Sequence, residues 1–418
     1  MHVPTSTSQQ LKTTPSSQSK SLSPFSPQLD AALASIIVKL EELYNQGKRT
    51  FVIVPHRDPD ADAMAGCVGM DRLIRGVLPD NASVRWMHDG QLCASLREVC
   101  ERPTEPISSL PGLVDESPHG TVAIIVVDQT GLHSPTVLPA EVGSNGLLET
   151  READIILDHH GATRDEPGRL SAPEAGCTAA LVYRLLELAQ NHERFRRLTF
   201  CPEEEARFAL LVNVGARTDA SQNVSGPLSE CVSPYVRWAV EKTEGCFDPA
   251  ACRSFDVLAA HHDGLVRIAQ AEAKVYPNVL INGVQAHLVV SYTGVAESVH
   301  CIGACADHLF SFEKKRYLHG DLPIAVVICG VIQLSSTDSE EVVHGGERIH
   351  VSVRTESPVD AEHIAELISA SGGGRLGAAA AQLTVPEMFE NMRVDEYMAR
   401  LLAYLEMKIA KDKGPGLF

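Results

Sequence analysis

The pattern of hydrophobic positions divides the chain into alternating strand-like and helical segments. Three almost continuously apolar runs, rich in Val and Ile, are FVIVP (51–55), VAIIVV (122–127) and ADIIL (153–157). Such runs are typical of strands that are buried on both faces of a parallel sheet. A weaker run at 83–88 predicts a fourth strand, and helical patterns at 62–76 and 177–190 lie between and after the strands. We therefore predict an α/β fold with a doubly wound, mainly parallel sheet.

The pattern changes after residue 233 and predicts a helical connector (234–278), followed by a second, smaller α/β domain (279–412) facing a cleft. Its predicted strands are 285–294, 323–334 and 348–355, and its predicted helices are 359–370 and 392–411. The last two strands flank an acidic, glycine-containing loop of the hairpin type. Residues 1–28 are rich in Ser, Thr, Gln and Pro, so we predict a disordered tail before a first domain at 29–233.

Composition and charge restrict the class of protein. The chain has 418 residues, 44% of them hydrophobic, and no apolar run long enough to span a bilayer, which predicts a soluble protein without a membrane partner. Its net charge of −18 argues against a broad surface for long duplex nucleic acid. The eleven cysteines form no zinc-type pattern and the N-terminus lacks the apolar core of a secretory signal, so we expect reduced thiols and a cytoplasmic location.

Acidic and imidazole side chains follow each of the three strongest strands, and one more acid follows the apolar helix at 208–215. They are His56, Asp60, Asp62, Asp128, Asp158, His159, His160 and Asp219. In an open α/β sheet the ligand lies beyond the carboxyl ends of the strands, where these side chains would meet. A single Asp after a strand is usually a helix cap or a turn residue, and Asp60 alone fits an N-cap, but three strand ends with such residues favour a common site.

So many carboxylates cannot all stay ionised in one crevice without a compensating cation. Carboxylate and imidazole ligands without thiolates favour a fairly hard divalent metal, with Mn²⁺ expected first and Mg²⁺, Co²⁺, iron or zinc as alternatives. The ligands exceed one coordination sphere, which predicts two ions about 4 Å apart that share a carboxylate. Such a pair activates water and stabilises the charge of a phosphoryl displacement.

The motifs HRDPDADA (56–63), VVDQ (126–129), LDHH (157–160) and RTDA (217–220) resemble the four motifs of the DHH phosphoesterase superfamily. The segment 351–379 resembles the DHH-associated substrate-binding domain, which carries an Arg on a strand and a Gly-Gly-Gly-His loop leading into a helix. The sequence departs from the family pattern at three places: Asp58 adds an acid to the first motif, Gly-Ala-Thr-Arg follows Asp-His-His where oligoribonuclease-type members commonly have Pro-Thr-Asn, and Arg375 replaces the histidine of the glycine loop. The resemblance is to oligoribonuclease and pAp phosphatase-like members in particular.

The resemblance implies a role for each of these positions. The first ion would be bound by His56 and Asp60, the second by Asp62, His159 and Asp219, with Asp128 as the bridge, His160 on the substrate phosphate and Asp158 orienting its neighbours. Asp128 and His160 would be the catalytic residues. The substrate would be held in the second domain by Arg354, Gly372, Gly373, Gly374 and Arg375, with the glycine N–H groups at a helix start.

We therefore expect a two-metal phosphoesterase acting on short oligonucleotides, nucleotide 3′-phosphates such as pAp, or linear or cyclic dinucleotides. Alternatives within the enzymes are an inorganic pyrophosphatase, an exopolyphosphatase and a RecJ-type exonuclease. A nucleotide-binding regulatory protein without catalysis is the alternative from another class. The expected partner is a short nucleotide or a phosphorylated small molecule, and the sequence leaves a homodimer open.

Overall fold

The structure is a computed structural model that describes residues 23–410, with internal gaps. The gaps are 57–58, 89–91, 93, 101–103, 111–112, 114–120, 130–139, 143–147, 151–152, 161–163, 198–199, 221–226, 229–231, 249–262, 297–298, 318–321, 333–341, 344–346, 370–372, 376 and 390. Two positions singled out in the sequence, Asp58 and Gly372, lie outside the described residues. None of the helices in the described part combines the length and apolarity that a membrane span requires.

The first domain is built on a seven-stranded sheet. Its helices are α1 (Pro27–Asn45), α2 (Ala61–Val77), α3 (Ala94–Cys100), α4 (Thr178–Ala189), α5 (Pro202–Asp219) and α6 (Pro234–Thr243). Its strands are β1 (Thr50–Val54), β2 (Ser83–His88), β3 (Glu105–Pro106), β4 (Val122–Val127), β7 (Ile155–Asp158), β8 (Arg164–Glu166) and β9 (Arg169–Ser171), and β5 (Ala140–Val142) pairs separately with β6 (Leu148–Thr150).

The strand order β3-β2-β1-β4-β7-β9-β8 confirms the doubly wound sheet. Every neighbouring pair is parallel except β8 and β9. Residues of β4 alternate between two apolar clusters, with Ile125 in the cluster that contains α2, α4 and α5 and Ile124 in the cluster on the opposite face. This burial on both faces explains the uninterrupted apolar runs in the sequence.

The second domain has a mixed six-stranded sheet with helices on both faces. Its strands are β10 (Lys274–Ile281), β11 (Val284–Ala296), β12 (Ile324–Ile332), β13 (Arg348–Thr355), β14 (Gly373–Arg375) and β15 (Ala378–Thr384), in the order β10-β11-β12-β13-β15-β14. A helix at 263–271 (α7) and α8 (Val299–Arg316) pack on one face, and α9 (Ala361–Ile368) and α10 (Val394–Ala410) pack on the other. The antiparallel pairing of β12 with β13 confirms the hairpin-type connection.

Two segments differ from the sequence prediction. The sequence predicted that the helical connector extends over 274–278. The structure instead has a strand, Lys274–Ile281, which pairs antiparallel with β11 and is joined to it by a turn at Asn282 and Gly283. Both turn residues have positive φ (46° and 78°), as a two-residue hairpin turn requires. The glycine loop was expected to lead into a helix, whereas Gly373–Arg375 and the Ala-rich Ala378–Thr384 are antiparallel strands. The prediction that an anion binds at a helix start after this loop was therefore wrong.

The ends of the first domain also lie outside its predicted bounds. Phe25, placed by the sequence in the tail, is buried and packs against the rings of Tyr235 and Trp238 in α6. Helix α6, placed in the connector, therefore contributes to the first core, while α7 contributes Leu265 and Ala269 to the second domain. The arrangement of the two domains around a cleft stays a prediction.

Candidate metal centre

The candidate site lies where the winding of the first sheet reverses direction. From β1 the chain moves outward through β2 and β3, and it then returns to place β4 on the other side of β1. His56 follows β1, Asp128 follows β4 and His159 follows β7, so all three lie at the carboxyl ends of adjacent parallel strands. This is the position at which open α/β sheets bind ligands.

Asp128 occupies the middle of the site in an unusual backbone conformation. Its φ of 57° lies in the left-handed region, which Asp tolerates better than most residues but which still costs about 1 kcal/mol or more. The Asp128 N–H donates to the carbonyl of Leu157 in β7 over 2.9 Å, which fixes this backbone. Its Oδ2 lies 3.3 Å from Nε2 of His56, and its Oδ1 lies 3.3 Å from Nε2 of His159. One buried carboxylate thus faces two imidazoles, one with each oxygen.

The first group around Asp128 consists of His56 and Asp60. Nε2 of His56 lies 3.7 Å from Oδ1 of Asp60. The same Oδ1 accepts hydrogen bonds from the N–H groups of Asp62 (2.9 Å) and Ala63 (3.0 Å), so Asp60 is also the N-cap of α2. The cap interpretation and the ligand interpretation therefore both hold for this residue, because a carboxylate has lone pairs for both.

The second group consists of Asp62, His159 and Asp219. Nε2 of His159 lies 2.8 Å from Oδ2 of Asp219, the last residue of α5, and 3.6 Å from Oδ2 of Asp62. Helix α5 approaches this closely because residue 215 is glycine: a Cβ there would lie 2.8 Å from Cα and 2.9 Å from N of Asp62. The sequence prediction placed Asp219 at an element end, and the structure puts it there beside the two partners that the resemblance implied.

Both carboxylate oxygens of Asp62 accept hydrogen bonds from the start of another helix. The N–H groups of Thr178 and Ala179, the first residues of α4, donate to Oδ2 and Oδ1 over 2.7 Å each. Cys177, at the N-cap position of α4, makes no capping bond with its own side chain, so Asp62 supplies the cap from α2. The positive end of the α4 dipole thereby stabilises a carboxylate that is entirely buried.

These donor atoms fit divalent metal ions. In the described part of the chain, three groups place their donor atoms within 4.8 Å of one another: His56, Asp60 and Asp128; Asp62, His159 and Asp219; and Asp128, His159 and His160. Among the described residues, Nε2 of His159 is buried and makes no well-aligned hydrogen bond, although oxygens of three carboxylates lie 2.8, 3.3 and 3.6 Å away. A buried polar atom that makes no well-aligned hydrogen bond calls for another partner, and a cation among these oxygens would supply one. Oxygen and imidazole donors favour a hard divalent ion.

Comparison with known proteins identifies the domain around this site. Residues 50–211 match the family model described as DHH family, N-terminal domain. These residues form a DHH-family domain. The match covers this domain, and proteins of the DHH family are metal-dependent phosphoesterases or hydrolases. No curated protein matches the chain.

Solved structures similar to the chain have low sequence identity to it. An exopolyphosphatase-related protein from Bacteroides fragilis gives a TM-score of 0.50 at 16% identity, over 90% of this chain and 97% of its own. RecJ from Thermus thermophilus, solved in complex with Mn²⁺, has a TM-score of 0.40 and 16% sequence identity. The match covers 92% of this chain and 55% of the RecJ chain. A protein from Methanococcus jannaschii, assigned to the family II inorganic pyrophosphatases, has a TM-score of 0.34 and 14% sequence identity. The match covers 86% of this chain and 99% of that protein. The first of these similarities shows a common fold.

In the DHH domain, His160 is oriented for a different role from that of His159. Its Nδ1 lies 2.9 Å from Oδ1 of the fully buried Asp158, and its side chain is 44% exposed. The hydroxyl of Ser171 in β9 donates to the backbone carbonyl of His160. Burial lowers the pKa of His160, but the hydrogen bond to Asp158 contributes to a net rise. Asp158 thus orients an accessible imidazole, as the resemblance implied.

The buried imidazoles carry protons when no metal is bound. Burial lowers the pKa of His159, but its contacts with Asp128 and Asp219 outweigh burial and raise the pKa to about 12. Burial also lowers the pKa of His56, yet contacts with Asp128 and Asp60 raise it well above its usual value. Burial alone would raise the pKa of Asp128, but the two imidazoles hold it well below its usual range. In this state the positive charge among the carboxylates comes from protonated histidines.

We expect metal binding to the DHH domain to release protons, because His56 and His159 must become neutral to act as ligands. The sign follows from the raised pKa values: the apparent metal affinity should rise with pH, by about tenfold per pH unit for each proton released. Calorimetric titration with MnCl₂ in buffers of different ionisation enthalpy measures the number of protons. His159→Gln should release fewer protons, and His287→Gln in the second domain should release the same number as the parent. A heat that does not depend on the buffer would contradict this prediction.

The second domain commits its predicted substrate-binding arginine to an internal partner. The guanidinium of Arg354 donates through Nε and Nη2 to the two carboxylate oxygens of Asp307 in α8, and through Nη1 to the hydroxyl of Ser352. Arg354 pairs in register with Ala378, which pairs in turn with Arg375 of β14. The two arginines, with Gly373 and Gly374 beside Arg375, therefore belong to one part of the sheet.

The sequence did not single out three residues that this geometry makes prominent. Thr178 contacts two of the predicted ligands, Asp307 holds Arg354, and the side-chain amide of Gln129 donates to the carbonyls at the end of β1 over 3.4 Å. Only Gln129 had a local signal, since it belongs to the VVDQ motif. The partners of Thr178 and Asp307 lie between 47 and 116 residues away along the chain, beyond the reach of local patterns.

Proposed function

We propose that the DHH domain is a two-metal phosphoesterase that prefers Mn²⁺ and hydrolyses short phosphorylated substrates. These would be oligonucleotides of a few units, nucleotide 3′-phosphates such as pAp, or dinucleotides. The observation that supports two ions is the position of Asp128, whose oxygens face His56 on one side and His159 on the other. A single ion would serve the donor atoms on one side of Asp128 and leave those on the other side without a cation.

The residues of the site would have different roles in the reaction. A pair of divalent ions supplies activated water and Lewis-acid stabilisation of the phosphoryl oxygens. Asp128 would hold the two halves of the site at a fixed separation, and His160 would contact the substrate phosphate with the ring nitrogen that Asp158 leaves available. The raised pKa of His160 favours its protonated form, which is the better partner for an anion.

Two observations favour a short substrate. The net charge of −18 disfavours a long polyanion outside the site. The charge of Arg354 is compensated by Asp307, so this arginine adds little net positive charge that would attract a long polyanion. We infer that Arg354, Arg375 and the glycines of β14 bind the part of the substrate distant from the scissile bond. A cytoplasmic location and a homodimer stay predictions.

A substrate panel with metal exchange tests this proposal. Purified protein is treated with a chelator and then supplied with Mn²⁺, Mg²⁺ or Co²⁺ in the presence of a generic phosphodiester, pAp, a dinucleotide, a cyclic dinucleotide, a longer oligomer, pyrophosphate or polyphosphate. We expect no hydrolysis after chelation, recovery with Mn²⁺ first, and preference for the short nucleotides.

Other outcomes distinguish the alternatives. Preference for pyrophosphate or polyphosphate would assign a phosphoanhydride hydrolase, and degradation of the long oligomer would assign an exonuclease. Metal-dependent binding of nucleotides without turnover would assign a regulatory protein. Hydrolysis that survives complete removal of metal would contradict the site itself.

A further inference from the structure

We propose that Thr178 is a positioning residue of the metal centre, which holds the carboxylates of Asp62 and Asp128 in fixed orientations at the start of α4. The inference rests on the two-metal site of the proposed function. It assigns a role to a residue that is not itself a ligand.

Thr178 contacts both carboxylates with different atoms. It is completely buried. Its backbone N–H donates to Oδ2 of Asp62 over 2.7 Å, and its hydroxyl donates to Oδ1 of Asp128 over 3.0 Å. One residue therefore connects an acid from the first turn of α2 with an acid at the end of β4.

The hydroxyl of Thr178 decides which way the carboxylate of Asp128 faces. It binds Oδ1, the oxygen that lies 3.3 Å from His159, and leaves Oδ2 on the side of His56. Without this hydrogen bond the carboxylate of Asp128 is freer to rotate. Oδ1 is then no longer held beside His159, nor Oδ2 beside His56. The separation of the two halves of the site would then depend on the ions rather than on the protein.

The backbone of α4 has the corresponding effect on Asp62. Hydrogen bonds to both of its oxygens, from Thr178 and Ala179, hold the plane of the carboxylate. These bonds are charge-assisted, and they are made in a buried place where such bonds are strong. Asp62 therefore has its ligand orientation before any ion arrives.

Local packing favours threonine at this position. The methyl group of Thr178 lies against Gly66 of α2, where an added Cβ would be 3.3 Å from that methyl and 3.3 Å from Cβ of Val127. Valine has the same shape as threonine, so Thr178→Val removes the hydroxyl and keeps both the N–H group and this contact. Thr178→Ser keeps the hydroxyl and loses only the methyl group.

Metal binding to the folded protein, rather than turnover, tests the proposal. Metal-free parent, Thr178→Val and Thr178→Ser proteins are titrated calorimetrically with MnCl₂ at one pH, and electron paramagnetic resonance then reports the magnetic coupling between bound ions. We expect Thr178→Val to bind Mn²⁺ about 10- to 100-fold more weakly, as for other residues that orient metal ligands, and to lose coupling. Thr178→Ser should stay within about threefold of the parent. Thermal unfolding without metal shows whether each variant is folded.

The outcomes separate this inference from the proposed function. A Thr178→Val protein that binds Mn²⁺ as tightly as the parent, or a Thr178→Ser protein as weak as Thr178→Val, overturns the positioning role while the metal centre stands. A parent protein that binds no divalent ion overturns the proposed function and this inference together. If Thr178→Val does not fold, Thr178→Ala, which also lacks the hydroxyl and cannot clash, takes its place under the same criteria.

Discussion

Asp128→Asn is expected to reduce phosphoester hydrolysis at saturating Mn²⁺ by about 10³-fold or more, since one preorganised electrostatic group in an active site is already worth roughly 10²–10³. Asp128 is the residue whose two oxygens serve both halves of the site, so its loss affects both. An amide has one acceptor oxygen and cannot replace a bridging carboxylate. The left-handed backbone at φ 57° suits Asn as well as Asp, so the fold should persist.

The measurement is the initial rate on the best substrate of the panel, with circular dichroism as the check on folding. A matched control is Asp71→Asn, which removes another buried carboxylate of the same domain, paired with Arg75 in α2 rather than placed in the metal centre. Its rate should stay near that of the parent. If Asp128→Asn kept more than about a tenth of the parent rate, the bridging role inferred from this geometry would be wrong.

Gly215→Ala is expected to destabilise the protein by about 1–3 kcal/mol, the usual cost of overpacking, although alanine favours helix over glycine elsewhere. The new Cβ would lie 2.8 Å from Cα and 2.9 Å from N of Asp62, which are backbone atoms that cannot move aside by rotating a side chain. Relief requires α5 to move away from α2. Asp219 would then separate from Asp62 and His159, and metal affinity should fall with stability.

Thermal unfolding with and without Mn²⁺ measures both effects. At this domain size we expect the midpoint to fall by about 2–12 °C, with a smaller gain from added metal than in the parent. The matched control is Gly264→Ala in α7, where no atom of the described residues outside the local helix lies within 4 Å of the added Cβ, so this change should be neutral or stabilising. A Gly215→Ala protein as stable as the parent, with the same response to Mn²⁺, would show that the close approach of the two helices does not matter.

The electrostatics of the site show how several aspartates coexist within one crevice. Asp60 accepts from the first N–H groups of α2, and Asp62 accepts from those of α4, so two helix N-termini direct their positive ends at the acids. Asp219 lies instead at the C-terminus of α5, where the dipole disfavours a negative charge, and its close contact is His159. Burial and the neighbouring acids Asp128 and Asp219 nevertheless raise the pKa of Asp62 well above its usual value, so Asp62 also depends on His159 or on metal to stay ionised.

The meeting of these side chains at one place could be predicted because it follows from strand ends. An uninterrupted apolar run identifies a strand buried on both faces, and the carboxyl ends of parallel strands meet at one edge of the sheet. Residues that follow such runs, such as His56, Asp128 and His159, therefore come together without knowledge of the packing. The motif resemblance then suggested how they divide into two groups, and the structure brings the same groups together.

Other features could not be read from local sequence. The four alanines at 378–381 favour a helix by intrinsic propensity, yet they form a strand because β13 and β14 pair on either side of them. The hairpin of β10 and β11 had an available signal in Asn282 and Gly283, which the helical pattern of the preceding residues obscured.

The α/β class, the sheet edge that carries the site and the residue types that meet there all follow from the amino-acid order, because periodicity and strand ends are local properties of the chain. How those acids are held depends on packing in three dimensions. The capping of α4 by Asp62, the contact of Thr178 with Asp128 and the approach of Gly215 to α2 all join residues at least 50 positions apart. Such contacts depend on how helices pack against the sheet, and no local pattern encodes that packing.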